Sequence, residues 1–136
     1  MMSELVKWYD FGEKGDERGL LSIVEARKDI PFSIDRVYYI YATEAGVTRG
    51  FHAHRELDQV LVAVSGSCDV MLDDGENVET VKLDSRSKGL AVEPWVWHEM
   101  SNFSSDCVLL CLASAHYDES DYIRDYDTFK QLVYER

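Results

Sequence analysis

Between Gly46 and Gly66 the chain reads Gly-Val-Thr-Arg-Gly-Phe-His-Ala-His-Arg-Glu-Leu-Asp-Gln-Val-Leu-Val-Ala-Val-Ser-Gly. Five residues separate Gly46 from His52, four separate His54 from Gln59, and six separate Gln59 from Gly66. Residues two apart on a strand project to the same face. Gly50 to His54 therefore reads as a strand that turns both imidazoles, His52 and His54, toward one ligand. Gln59 to Val64 reads as the next strand, ended by Ser65-Gly66.

The same pattern of short β-like runs separated by turn residues extends along the chain. Leu20 to Glu25, Arg36 to Tyr41, Cys68 to Leu72, Val78 to Leu83, Gly89 to Val92 and Cys107 to Ala113 are each expected to be strands. Asp73-Asp-Gly75 is a hairpin turn signal. Closely spaced strands of this kind imply a sandwich or barrel. With only two prolines, eight glycines and no linker or repeat in 136 residues, residues 1–136 are expected to form one domain. From Ser120 onward Tyr122, Tyr126, Phe129 and Val133 recur at helical spacing. This predicts an amphipathic helix whose aromatic stripe packs on the barrel.

Charge narrows the partners. The net charge of −12, from 26 acidic and 14 basic side chains, disfavours nonspecific binding to nucleic acid or an anionic membrane. No apolar run is long enough for a transmembrane helix, and the N-terminus has no apolar signal core. Three cysteines, Cys68, Cys107 and Cys111, are an odd number, and two lie in an apolar run. They read as inert core thiols of a cytoplasmic protein.

The Gly46–Gly66 spacing resembles the first cupin motif, G-x5-H-x-H-x3–4-E-x6-G, with Gln59 in place of the glutamate. Gly89 to Asn102 approximates the second motif, with His98 and Asn102 at the H-x3-N spacing and a displaced Pro94. The fold expected is all-β: a cupin, the double-stranded β-helix or jelly-roll barrel, with a short C-terminal helix. Three imidazoles and an amide would face one cavity. Three histidines suit zinc or iron, but Gln59 is a weak ligand where a carboxylate is usual. An acid–base pocket without metal or cofactor is the better reading, because imidazole takes or gives a proton near neutrality. Arg36, on one strand face with Tyr38, and Arg49, just before the histidines, fit a diphosphate clamp. Tyr38 reads equally as a core aromatic or a pocket hydroxyl.

Arg18-Gly, Pro31-Phe-Ser-Ile-Asp-Arg-Val-Tyr-Tyr-Ile, Arg49-Gly-Phe-His-Ala-His, Leu72-Asp-Asp-Gly, Trp97-His-Glu-Met, Phe103-Ser-Ser-Asp-Cys and Tyr117-Asp-Glu-Ser-Asp-Tyr-Ile-Arg together resemble the dTDP-sugar 3,4-ketoisomerases. The resemblance implies a metal-independent isomerase of a dTDP-linked 4-keto-6-deoxyhexose, with no cofactor. It implies a homodimer with exchanged N-terminal strands. It also implies that His52, His54 and Tyr38 are catalytic, with Arg18, Arg36, Arg49, Gln59 and His98 toward the substrate. At Arg18 and His98 the chain is similar to members whose product has the galacto configuration. A 3,5-epimerase, a noncatalytic sugar-nucleotide-binding cupin and a metal-dependent dioxygenase are the alternatives, separable by product, deuterium incorporation and iron content.

Overall fold

In a computed structural model that describes residues 4–136, the β-rich runs pair into two antiparallel five-stranded sheets. The strands are β1 (Trp8–Asp10), β2 (Lys14–Asp16), β3 (Gly19–Leu21), β4 (Arg36–Ile40), β5 (Arg49–His54), β6 (Gln59–Ser65), β7 (Cys68–Asp73), β8 (Val78–Leu83), β9 (Lys88–Val92), β10 (Trp97–Ser101), β11 (Val108–Ala113) and β12 (Tyr122–Ile123). One sheet has the order β1-β9-β6-β11-β4 and the other β12-β5-β10-β7-β8. From β4 to β12 successive strands alternate between the sheets except at the β7–β8 hairpin, which stays within one.

Between the sheets lies the main core, built on Leu61, Val70, Leu72, Leu83, Leu90 and Leu109. Strand β6 is buried on both faces. Its Leu61 points inward, while Val60 and Val62 pack outward against Ile30 and Phe32. This is why β6 reads as a nearly continuous apolar run rather than an alternating one. The three cysteines are free and buried, as expected. Burial pushes the Cys68 and Cys111 thiols up to about 12, so both stay protonated and inert.

The β7–β8 hairpin turns where Asp73-Asp-Gly75 signalled it. The Asp73 carboxylate accepts from the Gly75 N–H at 2.7 Å, and Gly75 has φ +98°. Two expectations need correction. Of the strand expected over Leu20–Glu25, only Leu20 and Leu21 are in strand, within β3, which pairs with β2 as an isolated hairpin. Leu20 and Leu21 stay exposed, 60% and 55%. The expected helix from Ser120 begins later, as α1 (Tyr126–Glu135).

Carboxylates set that boundary. Asp118 caps a single 3-10 turn over Glu119–Asp121, and Asp125 caps α1 by accepting from Thr128 N–H at 2.9 Å. Each Asp diverts local backbone donors from continuous helix. Tyr122 is left extended between the two caps and pairs with β5 opposite His54. Phe129 of α1 is fully buried against Ala53, Trp97 and Ile123. The helix thus seats the outer side of the strand that carries the histidines.

Candidate active site

His52 and His54 sit on β5, and His98 lies directly across from His52 on β10. The register shifts between His98 and Glu99, and the strands approach closely there. Gly50 permits this: a Cβ at its position would lie 2.7 Å from the His98 carbonyl oxygen, and its φ is +97°. Phe51 follows with φ +61°, an unfavourable conformation for a bulky residue. The bend turns the Gly50 carbonyl back onto His52.

Each imidazole is held through Nδ1. His52 Nδ1 lies 3.0 Å from the Gly50 carbonyl, and His98 Nδ1 3.2 Å from the Val96 carbonyl. A carbonyl can only accept, so both rings carry their proton on Nδ1 and present a bare Nε2. His54 Nδ1 is 3.0 Å from Asp121 Oδ2, and Asp121 Oδ1 accepts from the Glu56 N–H at 2.7 Å. The rings gather closely: the His52 centroid is 4.5 Å from that of His98 and 5.0 Å from that of His54.

Burial keeps all three neutral. It lowers the His52 pKa, takes His54 down to about 4, and takes His98 down to about 3. For His54 the neighbouring His52 adds to the lowering, and Asp121 opposes it. Neutral imidazoles with free Nε2 atoms are proton acceptors at pH 7.

Two adjoining hollows meet at these rings. The larger, about 490 Å³, is lined by Tyr38, Arg49, His52, His98 and Arg124. The smaller, about 320 Å³, is lined by His54, Arg55, His116 and Asp121. Arg36 and Tyr122 line both. The histidine pair therefore does not open on one hollow, as its two-residue spacing suggested. Tyr122 stands between them, its ring 4.9 Å from His52 and 4.3 Å from His54.

Arg36 and Arg49 both reach the larger hollow, as expected. The Arg36 guanidinium rests 5.3 Å from the Tyr38 ring centre and 5.9 Å from that of Tyr117. Its Nε is buried without a hydrogen-bond partner among the described residues. A cation held by aromatic faces remains available to an anionic ligand. Arg124, which the sequence reading passed over, stacks 4.1 Å from the Tyr122 ring centre and pairs with Glu119 at 2.7 Å.

Tyr38 packs its ring against the main core and also lines the larger hollow. Burial, with the Cys111 thiol beside it, holds its pKa well above the usual tyrosine range. Its hydroxyl donates to Gln59 Oε1 at 2.5 Å. Gln59 is buried behind Tyr38 and lines neither hollow, contrary to its expected place against the substrate. Asn102 also departs from expectation. It is exposed at the end of β10, with φ +51°, and its amide donates to Asp69 at 2.7 Å. Arg18 lies on the β2–β3 turn, paired with Asp16 at 2.7 Å, and lines neither hollow within its own chain.

Asp121, Tyr122 and Arg124 are the site residues that sequence reasoning missed. Helical spacing had assigned Tyr122 to a core stripe. The signal that could have corrected this is the run Asp118, Asp121, Asp125, three potential caps within eight residues.

A jelly-roll barrel that gathers neutral histidines, a buried tyrosine and arginines in one interior defines a cupin built for acid–base chemistry on an anionic ligand. Residues 4–134 match the family model FdtA, described as WxcM-like, C-terminal, and the chain belongs to that family. It is 58% identical over 118 residues to the TDP-4-oxo-6-deoxy-alpha-D-glucose-3,4-oxoisomerase of Aneurinibacillus thermoaerophilus, covering 87% of this chain and 85% of that one. Two crystal structures of the 3,4-ketoisomerase QdtA from Thermoanaerobacterium thermosaccharolyticum each superimpose with a TM-score of 0.95, covering 99% of this chain and 98% of theirs. The first is a histidine-to-asparagine mutant in complex with TDP-4-keto-6-deoxyglucose, at 41% identity. The second is a double mutant, tyrosine to arginine and arginine to histidine, in complex with TDP, at 43% identity.

Proposed function

We propose that this chain is a 3,4-ketoisomerase that converts TDP-linked 4-keto-6-deoxyglucose to the 3-keto-6-deoxygalactose isomer, with His52 as its base. The observation that carries the roles is the bare Nε2 of a neutral His52, fixed by the Gly50 carbonyl in the same hollow as Tyr38 and Arg49. Relatives that are ketoisomerases support the substrate and reaction class.

The C4 ketone acidifies the C3 hydrogen, and His52 Nε2 takes that proton. The resulting enediolate carries its charge on O4, where a hydrogen-bond donor lowers the barrier. Tyr38 is that donor, giving its hydroxyl proton to O4 and receiving the O3 hydroxyl proton in exchange. Protonated His52 then returns a proton to C4, leaving the ketone at C3. Every proton taken is given back, so no oxidant or reductant is consumed. When one base serves both carbons, the proton returns to the face it left, which gives the galacto centre. Arg36 and Arg49 hold the diphosphate, and His98 backs His52 as a neutral neighbour. His54, on the far side of Tyr122, is oriented by Asp121.

The chain acts as a homodimer that exchanges its N-terminal strands, which brings Arg18 of one subunit to the other's hollow. The isolated β2–β3 hairpin with exposed Leu20 and Leu21 supports this reading. So does the outer face of edge strand β4, where Val37 and Tyr39 are exposed.

Incubation with dTDP-4-keto-6-deoxyglucose in deuterated water, followed by NMR before the product decays, tests the assignment. A 3-keto sugar of galacto configuration is expected. A gluco C4 centre refutes the single-base route, and a ketone still at C4 with exchange at C3 and C5 marks an epimerase instead. His52→Asn should lower kcat by at least about 10³-fold with the elution volume unchanged; near-normal turnover removes His52 from the role.

A further inference from the structure

Gln59 combines three properties that packing alone does not account for. It is a polar side chain only 2% exposed. Its Oε1 receives the Tyr38 hydroxyl proton at 2.5 Å. Its Nε2 is buried with no hydrogen-bond partner among the described residues. An unmet buried donor is destabilising, and a nonpolar residue at this β6 position would avoid that.

A primary amide has a donor end and an acceptor end of nearly equal shape. In the arrangement seen, the Tyr38 proton points away from the hollow into the barrel wall, where it cannot reach a substrate oxygen. Turning the Gln59 amide by half a turn about its last torsion exchanges its ends. Nε2 then donates to the Tyr38 oxygen, Oε1 takes the position where Nε2 had no partner, and the Tyr38 proton is free to point into the hollow.

We propose that Gln59 is a positioning residue for Tyr38, its amide turning from acceptor to donor as substrate binds so that the Tyr38 hydroxyl can deliver its proton to the sugar. The inference rests on the ketoisomerase reading and adds the group that controls its proton relay. As Tyr38 gives its proton to O4 and takes the one on O3, Nε2 holds the phenolic oxygen while charge develops on it. The buried environment of Tyr38 disfavours a free phenolate, so this donor acts during the exchange itself. A glutamate at 59, as in metal cupins, would do the reverse. Ionised, it has no donor end, keeps the Tyr38 proton on itself and repels a developing phenolate.

The test compares Gln59→Glu and Gln59→Met with the unmodified enzyme, each in a Tyr38 and a Tyr38→Phe background, by steady-state kinetics from pH 5.5 to 9. With Tyr38 present, kcat should fall about 10²-fold for both variants at pH 8, with KM within about twofold. Gln59→Glu alone should recover as the pH is lowered, because a protonated carboxyl, like an amide, offers both a donor and an acceptor. In the Tyr38→Phe background neither substitution should lower kcat further, since the group it acts through is gone. Gln59→Met keeps the apolar volume and guards against a Gln59→Glu that fails to fold. Full kcat at pH 8 in Gln59→Met, or equal losses in both backgrounds, overturns the proposal while leaving the ketoisomerase reading intact. An unmodified enzyme that leaves the ketone at C4 overturns that reading, and the proposal with it.

Discussion

Gly50 is the residue at which one added atom would do most damage. Its φ of +97° is costly for any residue with a side chain, and its Cβ would meet the His98 carbonyl oxygen at 2.7 Å, backbone against backbone. The same residue supplies the carbonyl that fixes the His52 tautomer. Gly50→Ala must therefore separate β5 from β10 or distort both, at a cost of about 1–3 kcal/mol in strain. Its melting temperature should drop and its kcat should fall at least tenfold, with a smaller loss of dTDP binding, since Arg36 on β4 is untouched while Arg49 adjoins Gly50 on β5. A Gly50→Ala protein with unaltered melting and turnover would show that the close approach does not set the His52 geometry. The reach of sequence reading is visible here too. The two-residue spacing placed His52 and His54 on one strand face, which the structure bears out. It could not show that Tyr122 stands between the hollows they line, because that depends on a segment nearly seventy residues away in the chain.

At the scale of the elements, the β5–β10 pair buries imidazoles where a barrel of this size would ordinarily bury aliphatic side chains. That makes the fold sensitive to acid. His98 titrates near 6.5 when unfolded and near 3 when folded, so below pH 6.5 the unfolded chain binds a proton that the folded chain refuses. Stability is full above 6.5 and declines as the pH falls toward 3. By pH 5 the His98 contribution alone amounts to about 2 kcal/mol of lost stability, and His54, with its folded value near 4, acts in the same direction. The urea midpoint should therefore fall between pH 7 and pH 5, and His98→Gln should flatten that dependence. An equal decline in His98→Gln would place the acid sensitivity elsewhere. Which strands form was largely legible, because β6, β7 and β11 are dense in apolar β-formers. The segment from Tyr117 to Asp125 was not. Its side chains repeat with helical spacing, yet Asp118 and Asp125 each accept from a backbone N–H two or three residues on, Asp121 accepts from the Glu56 N–H across the fold, and those bonds outweigh the periodicity. Gln59 was legible as a lost metal ligand but not as the partner of Tyr38, since the pairing joins strands β4 and β6 across intervening β11.

At the scale of the whole molecule, the hairpin and the barrel do not complete each other within one chain. Leu20, Leu21, Val37 and Tyr39 are each more than half exposed, and β4 ends its sheet with one side unpaired among the described residues. Such an edge invites another strand. A partner hairpin laid there would cover these apolar residues and carry its Arg18 toward the hollow that Arg36 lines from β4. Arg18 and His52 of one functional site would then belong to different subunits. This arrangement has a consequence that mixing can read. In a heterodimer of an Arg18→Ala subunit and a His52→Asn subunit, one barrel has its own His52 and an intact Arg18 from its neighbour, and the other barrel lacks both. Each homodimer is impaired at every site. If the two chains are coexpressed and assemble at random, half of the dimers are mixed and about a quarter of all sites regain both residues. Activity should therefore rise to about one quarter of the unmodified enzyme's, well above either variant alone. Light scattering should give twice the chain mass throughout, so that the gain reflects exchange of subunits and not a change of assembly. Mixed protein no more active than the average of the two variants would mean that Arg18 serves its own barrel or none.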